Sequence, residues 1–152
     1  MYKTILVAVD ESDVSKSALE EAVNLAHHLK SRLTIIHVVD VALAHTSDTG
    51  LVHFDIVSFK ETMLKNGQKL LNQLASIANF AGVTVETKLI ENTDFSRVAD
   101  KILEASYALK VELLVLGTHG RGGFRKLMLG SVAEDIIRAA TVPVLLTRGQ
   151  KV

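Results

Sequence analysis

The sequence predicts one α/β domain: an open five-stranded parallel sheet with helices on both faces. Three observations lead there. Apolar, β-branched runs alternate with segments of helical period in the order βαβαβαβαβ, the pattern that crossover connections turn into a parallel sheet. The first runs are continuously apolar, as in strands covered on both sides. The chain has 152 residues, 48% hydrophobic and 22% charged, which is ordinary single-domain size and enough for a core without staples. No internal repeat, low-complexity tract or linker divides it, so residues 1–152 read as one domain.

Each element has its own justification. Thr4-Ile5-Leu6-Val7-Ala8-Val9 is the first buried strand. From Asp13 to Leu29, the residues Ala18, Ala22, Leu25 and Leu29 recur at helical spacing beside Leu19, Val23 and Ala26, and Ser12 or Asp13 is placed to cap the start. Leu33 to Val39 is the second strand. Asp40 to Asp55 has no period and reads as a long functional loop. Val57 to Ala81 is helical, with Leu70, Leu71, Leu74, Ile77, Ala78 and Ala81 on one face and Gly82 as its stop. Val83 to Ile90 sets Val83, Val85 and Leu89 against Thr84, Glu86 and Lys88, the alternation of a half-exposed edge strand. Asp94 to Leu109 places Phe95, Val98, Ala99, Ile102, Leu103 and Leu109 at helical spacing. Glu112 to Leu116 is the fourth strand, Ser131 to Ala140 a short helix, and Val142 to Thr147 the last strand.

Composition limits the function. Lys+Arg and Asp+Glu each number 17, a formal net charge of +0, which argues against a nucleic-acid partner. With no Cys, disulfides, thiolate catalysis and cysteine-based zinc sites are excluded. The first apolar run stops at Asp10, too short for a signal-peptide core or a membrane span, and no later run is long enough to span. The expectation is a soluble, cytoplasmic chain without membrane insertion. His27, His28, His37, His45 and His53 have no metal-ligand spacing and read as exposed or structural histidines.

The chemistry concentrates after the fourth strand. Gly117-Thr118-His119-Gly120-Arg121-Gly122-Gly123 leads through Phe124-Arg125-Lys126 to Gly130-Ser131, a G-x2-G-x9-G-S pattern between a strand and a helix. Glycine lets backbone amides approach a ligand without a Cβ in the way. The first amides of a helix lack partners and carry positive partial charge, so such a loop is suited to phosphate. Arg121, Arg125 and Lys126 add cations. A purely structural reading stands beside this one: Ser131-x-x-Glu134 has the form of a capping box, and loop glycines make turns. In an open α/β sheet ligands sit beyond the carboxyl ends of the strands, where Asp10, Val38 and Gly117 fall. Asp10 is either a ligand contact or a turn former. His119 either stacks on or hydrogen-bonds to a ligand, or faces solvent.

The chain resembles the universal stress protein family, in its ATP-binding branch. The resemblance rests on Ile5-Leu6-Val7-Ala8-Val9-Asp10-x-Ser12, on Ile36-His37-Val38-Val39-Asp40, on the complete G-x2-G-x9-G-S loop and on Val142-Pro143-Val144-Leu145-Leu146. It implies a Rossmann-like, adenine nucleotide alpha hydrolase-like fold with strand order 3-2-1-4-5. It also implies bound ATP, with Mg2+ carried on the phosphates. By position, Ala8, Val9 and Asp10 would lie beside ribose and adenine, and Val38 would present backbone to the adenine edge. Leu116, Gly117, His119 and Gly120, with Arg121 in the same loop, would wrap the ribose and α-phosphate. Gly130, Ser131 and Val132 would hold the outer phosphates. The resemblance further implies a homodimer through the last strand, with Val142, Val144 and Leu146 near the interface. Pro143 at the start of that strand suits a sheet edge.

Competing nucleotide motifs are absent: no G-x4-G-K-[ST], no G-x-G-x-x-G after the first strand, no G-x-S-x-G. Three functions follow. The first is a regulator of the stress response, whose ATP occupancy alters the loop from Thr118 to Leu129 and the segment from Asp40 to Asp55 and is read by an unidentified protein partner. The second is a slow ATPase or autophosphorylating enzyme, with Ser131 and Thr118 as acceptors and no residue evident to position water. The third is a nucleotide-independent dimeric interaction protein.

Overall fold

The computed structural model describes residues 1–42, 55–119 and 129–149. Nine elements alternate: β1 (Thr4–Ala8), α1 (Asp13–Leu29), β2 (Arg32–Asp40), α2 (Ile56–Phe80), β3 (Val85–Asn92), α3 (Val98–Ala108), β4 (Leu113–Gly117), α4 (Ser131–Ala139) and β5 (Val144–Thr147). The strands form one sheet in the order β3-β2-β1-β4-β5, and every neighbouring pair is parallel. The chain winds outward from β1 through β2 to β3, then returns to the other side of β1 for β4 and β5. The carboxyl ends of β1 and β4 are therefore where the order reverses.

The strand period of two divides the core into two layers. Ile5, Val7, Val9, Leu33, Ile35, Leu113 and Val115 pack with α1 and α2 on one face. Leu6, Ile36, Leu114 and Leu116 pack with Ala99, Ile102 and Leu103 of α3 and Ala133 and Ile136 of α4 on the other. Only a strand buried on both faces needs both sets apolar, which is why the first strand has no polar alternation. β3 is an edge strand, and its outward positions Glu86 and Lys88 are exposed.

Local chemistry sets the boundaries and corrects four of those expected. The Ser12 side chain accepts from Ser15 N–H and caps α1. α3 starts at Val98, not Asp94: Phe95 takes φ +59°, which no helix tolerates, and the Asp94 carboxylate accepts from Ser96 N–H to close a turn. Phe95 is consequently exposed rather than on the buried helix face. β3 starts at Val85, because Val83 N–H is taken by Ala78 O as α2 closes, with Gly82 at φ +76°. β5 starts at Val144, and Val142 packs on the core from before the strand. Pro143 has no N–H to give, and its carbonyl accepts from Leu114 N–H. β2 continues through Asp40, so the segment without a period starts later than the sequence suggests, and its residues 43–54 lie outside the described ones. In α2 the buried stripe is Gly67, Leu71, Leu74 and Ala78; Leu70 flanks it, while Ile77 and Ala81 face solvent.

Candidate functional site

The site begins with a difference in strand length. β1 ends at Ala8, paired with Ile36, whereas β2 runs on to Asp40. In a parallel ladder alternate residues turn their backbone groups to opposite neighbours. Arg32 N–H donates to Lys3 O and Val9 N–H to Ile36 O, so the even-numbered residues of β2 face β1. The next such residue is Val38. Its N–H and C=O point into the space beyond the end of β1, and no main-chain partner meets them there among the described residues. The side chains of Ala8, Val38 and Val132 lie half-buried against the cluster that contains Leu116, so these four residues share the α3/α4 side of the sheet.

Val9 contributes differently. Its side chain is in the opposite layer, its N–H is bonded to Ile36 O, and its carbonyl accepts from His37 Nδ1 at 2.8 Å. That last bond fixes Nδ1 as the protonated nitrogen, and makes His37 a structural histidine that ties β2 to the end of β1. Asp10 forms a turn: Oδ1 accepts from Ser12 N–H at 2.9 Å, and Asp10 N–H donates to Ser15 Oγ at 2.7 Å. Its second carboxylate oxygen has no bond among the described residues. The turn aims the start of α1 and leaves Asp10 half-buried at the carboxyl edge.

On the other side of the switch point, β4 ends at Gly117. Gly117, which the sequence sets just after the fourth strand at the start of the glycine loop, lies in the strand and its φ is not positive. A Cβ on Gly117 would stand 2.7 Å from Val14 Cγ1, so its absence lets α1 pack against β4. Thr118 is the clamp that the sequence reading missed. Its N–H donates to Thr147 O at 2.9 Å and its carbonyl accepts from Gly130 N–H at 2.8 Å, which brings the start of α4 to the end of β4. Nothing in residue type marks that role; the only signal was its position between two loop glycines. Thr118 is buried, and its hydroxyl lies 2.8 Å from His119 Nδ1, which makes it a poor phosphate acceptor. His119 is half-buried, and its Nε2 is buried without a hydrogen-bond partner among the described residues.

The α4 terminus decides between the two readings of Ser131. Gly130 is the N-cap, at φ −68° and ψ 151°, and among the described residues no side chain caps the helix. Ser131 is the first helical residue, not the cap, so the expected Ser131–Glu134 capping box does not form. Glu134 N–H is the first to reach an intrahelical carbonyl, Gly130 O at 2.9 Å. The amides of Ser131, Val132 and Ala133 precede it with no side-chain acceptor among the described residues, which leaves an anion-binding terminus at the switch point. Arg97 braces this helix through an ion pair to Asp135 at 3.2 Å. Hydrogen bonding to Asp100, then the charges of Asp100 and Asp135, push the Arg97 guanidinium up, and Arg97 in turn holds the Asp100 carboxyl below its usual range.

Of the residues expected to contact a ligand, Ala8, Asp10, Val38, Leu116, Gly117, His119, Gly130, Ser131 and Val132 thus converge on the carboxyl edge around β1 and β4. Gly120 and Arg121, with Arg125 and Lys126, lie outside the described residues. Among the described residues, no group of three or more His, Asp or Glu could hold a metal ion, and no helix is long and apolar enough to cross a membrane.

Comparison with known proteins identifies the family and the fold. The universal stress protein family pattern matches residues 1–148. The chain is 36% identical to universal stress protein YxiE of Bacillus subtilis over 153 residues, covering 97% of this chain and 100% of that one. It is 33% identical over 154 residues to a universal stress protein of Methanocaldococcus jannaschii, covering 99% and 85%. A universal stress protein family structure from Burkholderia pseudomallei superposes with a TM-score of 0.77 at 30% identity, over 95% of each chain. An Archaeoglobus fulgidus universal stress protein in complex with dAMP gives 0.63 at 25% identity, over 96% and 98%. A universal stress protein in complex with cAMP gives 0.70 at 22% identity, over 98% and 99%, and shares the fold.

Proposed function

The chain belongs to the universal stress protein family, and from that premise we propose that it is an ATP-binding regulator of the stress response, of the family's ATP-binding branch. The observation that carries this reading is the uncapped N-terminus of α4, clamped by Thr118 beside the end of β1. It offers successive amides and a dipole to a phosphate chain. Val38 supports the other end of the ligand: one free N–H and one free C=O side by side suit a base edge that carries an acceptor next to a donor, as adenine does. The nucleotides bound by the dAMP and cAMP complexes favour an adenine ligand. The donor set fits the anion rather than the metal, so Mg2+ would arrive on the phosphates. Asp10 would meet the ribose with its uncommitted oxygen, and His119 Nε2 would find its partner on the ligand. Occupancy would be signalled to a protein partner in the cytoplasm, with two copies joined along β5.

Titration of the nucleotide-free protein with ATP and Mg2+ by calorimetry tests the reading, with a Ser131→Pro variant as control. Proline is well accommodated at the first position of a helix, and the extended conformation of Gly130 suits a residue before proline. The substitution therefore deletes one amide donor and one hydroxyl without breaking α4. The expected result is affinity tighter than millimolar for the parent protein and a loss of about tenfold or more in the variant. Equal affinities would remove the α4 terminus from the site, and no binding by either protein would reject the nucleotide reading.

A further inference from the structure

β3 leaves a row of backbone groups open. Val41 N–H donates to Asn92 O, so the even-numbered residues of β3 turn their backbone groups toward β2. The N–H and C=O of Val85, Thr87 and Leu89 therefore face away from the sheet, and among the described residues no main-chain partner meets them. Such an edge is a template for another strand. Glu86 and Lys88 stand exposed on it, on the α3/α4 side with Ile90, and among the described residues neither has an ion-pair partner.

These charges read the same from both directions about Thr87. A second copy paired antiparallel, on a two-fold axis through Thr87, sets Thr87 opposite its own counterpart, Val85 opposite Leu89, and Glu86 opposite Lys88 twice. The parity fits the ladder. Val85, Thr87 and Leu89 supply the hydrogen-bonded pairs, and the Glu86–Lys88 pairs fall at the other positions, where facing Cα atoms are only about 4.5 Å apart. Symmetric registers centred on Val85 or Leu89 also bring outward groups together, but pair neither charge with the other. The ladder ends by itself: Val83, next in line, has its N–H bonded to Ala78 O, and Glu91 is paired with Lys60 at 3.0 Å. The helix layer leaves room as well. A Cβ on Gly67 would meet Leu89 of β3 and Val39 and His37 of β2, so α2 runs over the gap between these strands. With neighbouring strands about 4.8 Å apart, the α2 helices of the two copies would lie about 10 Å apart, an ordinary packing distance. We propose that β3 is a self-association edge, on which a second copy of this chain pairs antiparallel about Thr87 and continues the sheet. This edge lies opposite β5 in the strand order, and the inference depends neither on pairing there nor on the nucleotide reading.

The chain has no cysteine, so single cysteines report the register. The Glu86→Cys and Lys88→Cys proteins are mixed and oxidised in air. The expected result is a disulfide-linked dimer in the mixture, joined through the two substituted positions, and little from either protein alone, because like positions are diagonal and more than about 7 Å apart. Charge reversal gives the second readout, by sedimentation at low salt. Glu86→Lys and Lys88→Glu each bring like charges together at both pairs and should weaken association about tenfold or more. An equal mixture of these two variants restores both attractive pairs, as does the double variant, and should regain the average mass of the parent protein. No cross-link in the cysteine mixture, or as much from either protein alone, overturns the inference. So does a mass that ignores charge reversal, the outcome expected if the charges merely guard the edge. A mass that falls in the single variants but is not regained by their mixture overturns it too.

Discussion

Gly117→Ala separates two explanations of a motif glycine by the sign of its effect on stability. Gly117 has no positive φ, so alanine meets no backbone strain there, and the reduced freedom of the unfolded chain would by itself stabilise the protein by about 0.4–1 kcal/mol. Packing opposes this. The new Cβ would stand 2.7 Å from Val14 Cγ1 and 3.3 Å from both the Cβ and the carbonyl carbon of Val14. A rotamer change moves only the first of these atoms. Relief therefore requires α1 to retreat from β4. Overpacking of this kind costs roughly 1–3 kcal/mol, so the net effect is a loss of about 1–2 kcal/mol. For a chain of this length that is roughly 2–8 °C in Tm. Urea unfolding should show a lower midpoint at unchanged slope. Val14→Ala destabilises the parent protein through lost packing but should restore part of the stability of Gly117→Ala, with a coupling of about 1 kcal/mol. A Gly117→Ala protein as stable as its parent, or a pair of additive substitutions, would refute the packing argument and return this glycine to the loop as a ligand-approach residue.

Two further predictions concern the surface and the sheet edge. Lys101, with its ammonium 2.8 Å from the Asp94 carboxylate, holds that carboxyl well below its ordinary value of 3.8, with help from Ser96. A depressed folded-state pKa contributes stability that is complete above 3.8 and is lost as pH falls through the folded value; Lys101→Met should therefore flatten the acid side of the stability profile, read as urea midpoints from about pH 6 down to pH 2, and identical slopes would exclude the pair as a contributor. On β5, Pro143 O accepts from Leu114 of β4 and Thr147 O from Thr118 just beyond it, so the backbone groups of Val144 and Leu146 face the open edge. Leu146→Pro deletes one outward N–H, and light scattering should then report a shift from dimer to monomer with the far-ultraviolet circular dichroism retained; an unchanged mass would rule out pairing along β5.

The parts of this molecule that repeat along the chain were legible in its sequence. The span Asp13 to Leu29 and the edge character of β3 follow from apolar period, caps and turn residues, which act over four residues or fewer; the alternation of strands and helices implies a parallel sheet, whereas the strand order came from the family resemblance. What was not legible depends on contacts between distant segments. Phe95 fitted the helical period of α3, but the Asp94–Ser96 turn overrode it. Gly67 looks like a flaw in the middle of α2. It is buried because a Cβ there would come within 3.1 Å of His37, Val39 and Leu89, three side chains of β2 and β3. Ser131 and Glu134 match a capping box in spacing, but the Thr118 carbonyl captures Gly130 N–H and sets the helix start one residue earlier. Asp40 and Asn92, 52 positions apart, become a pair of unsatisfied acceptors only once β2 and β3 are in register.

The same contrast explains why the candidate site is mostly backbone. A strand that stops early beside a longer neighbour exposes one residue's N–H and C=O, here those of Val38. A helix that starts at a glycine exposes its first amides. Neither feature needs a distinctive side chain at the contact, so neither gives a residue-type signal there; what the sequence can carry is the glycine and the strand lengths. This arrangement also fits a chain of zero formal net charge. Backbone dipoles hold an anion without a cationic face, and so without general affinity for nucleic acid. The side chains left to discriminate between ligands are those at the rim, Asp10 and His119. Substitutions there should change which nucleotide is preferred, whereas Ser131→Pro should weaken every nucleotide that carries the same phosphates. Equal losses for all ligands from a rim substitution would refute this division of labour.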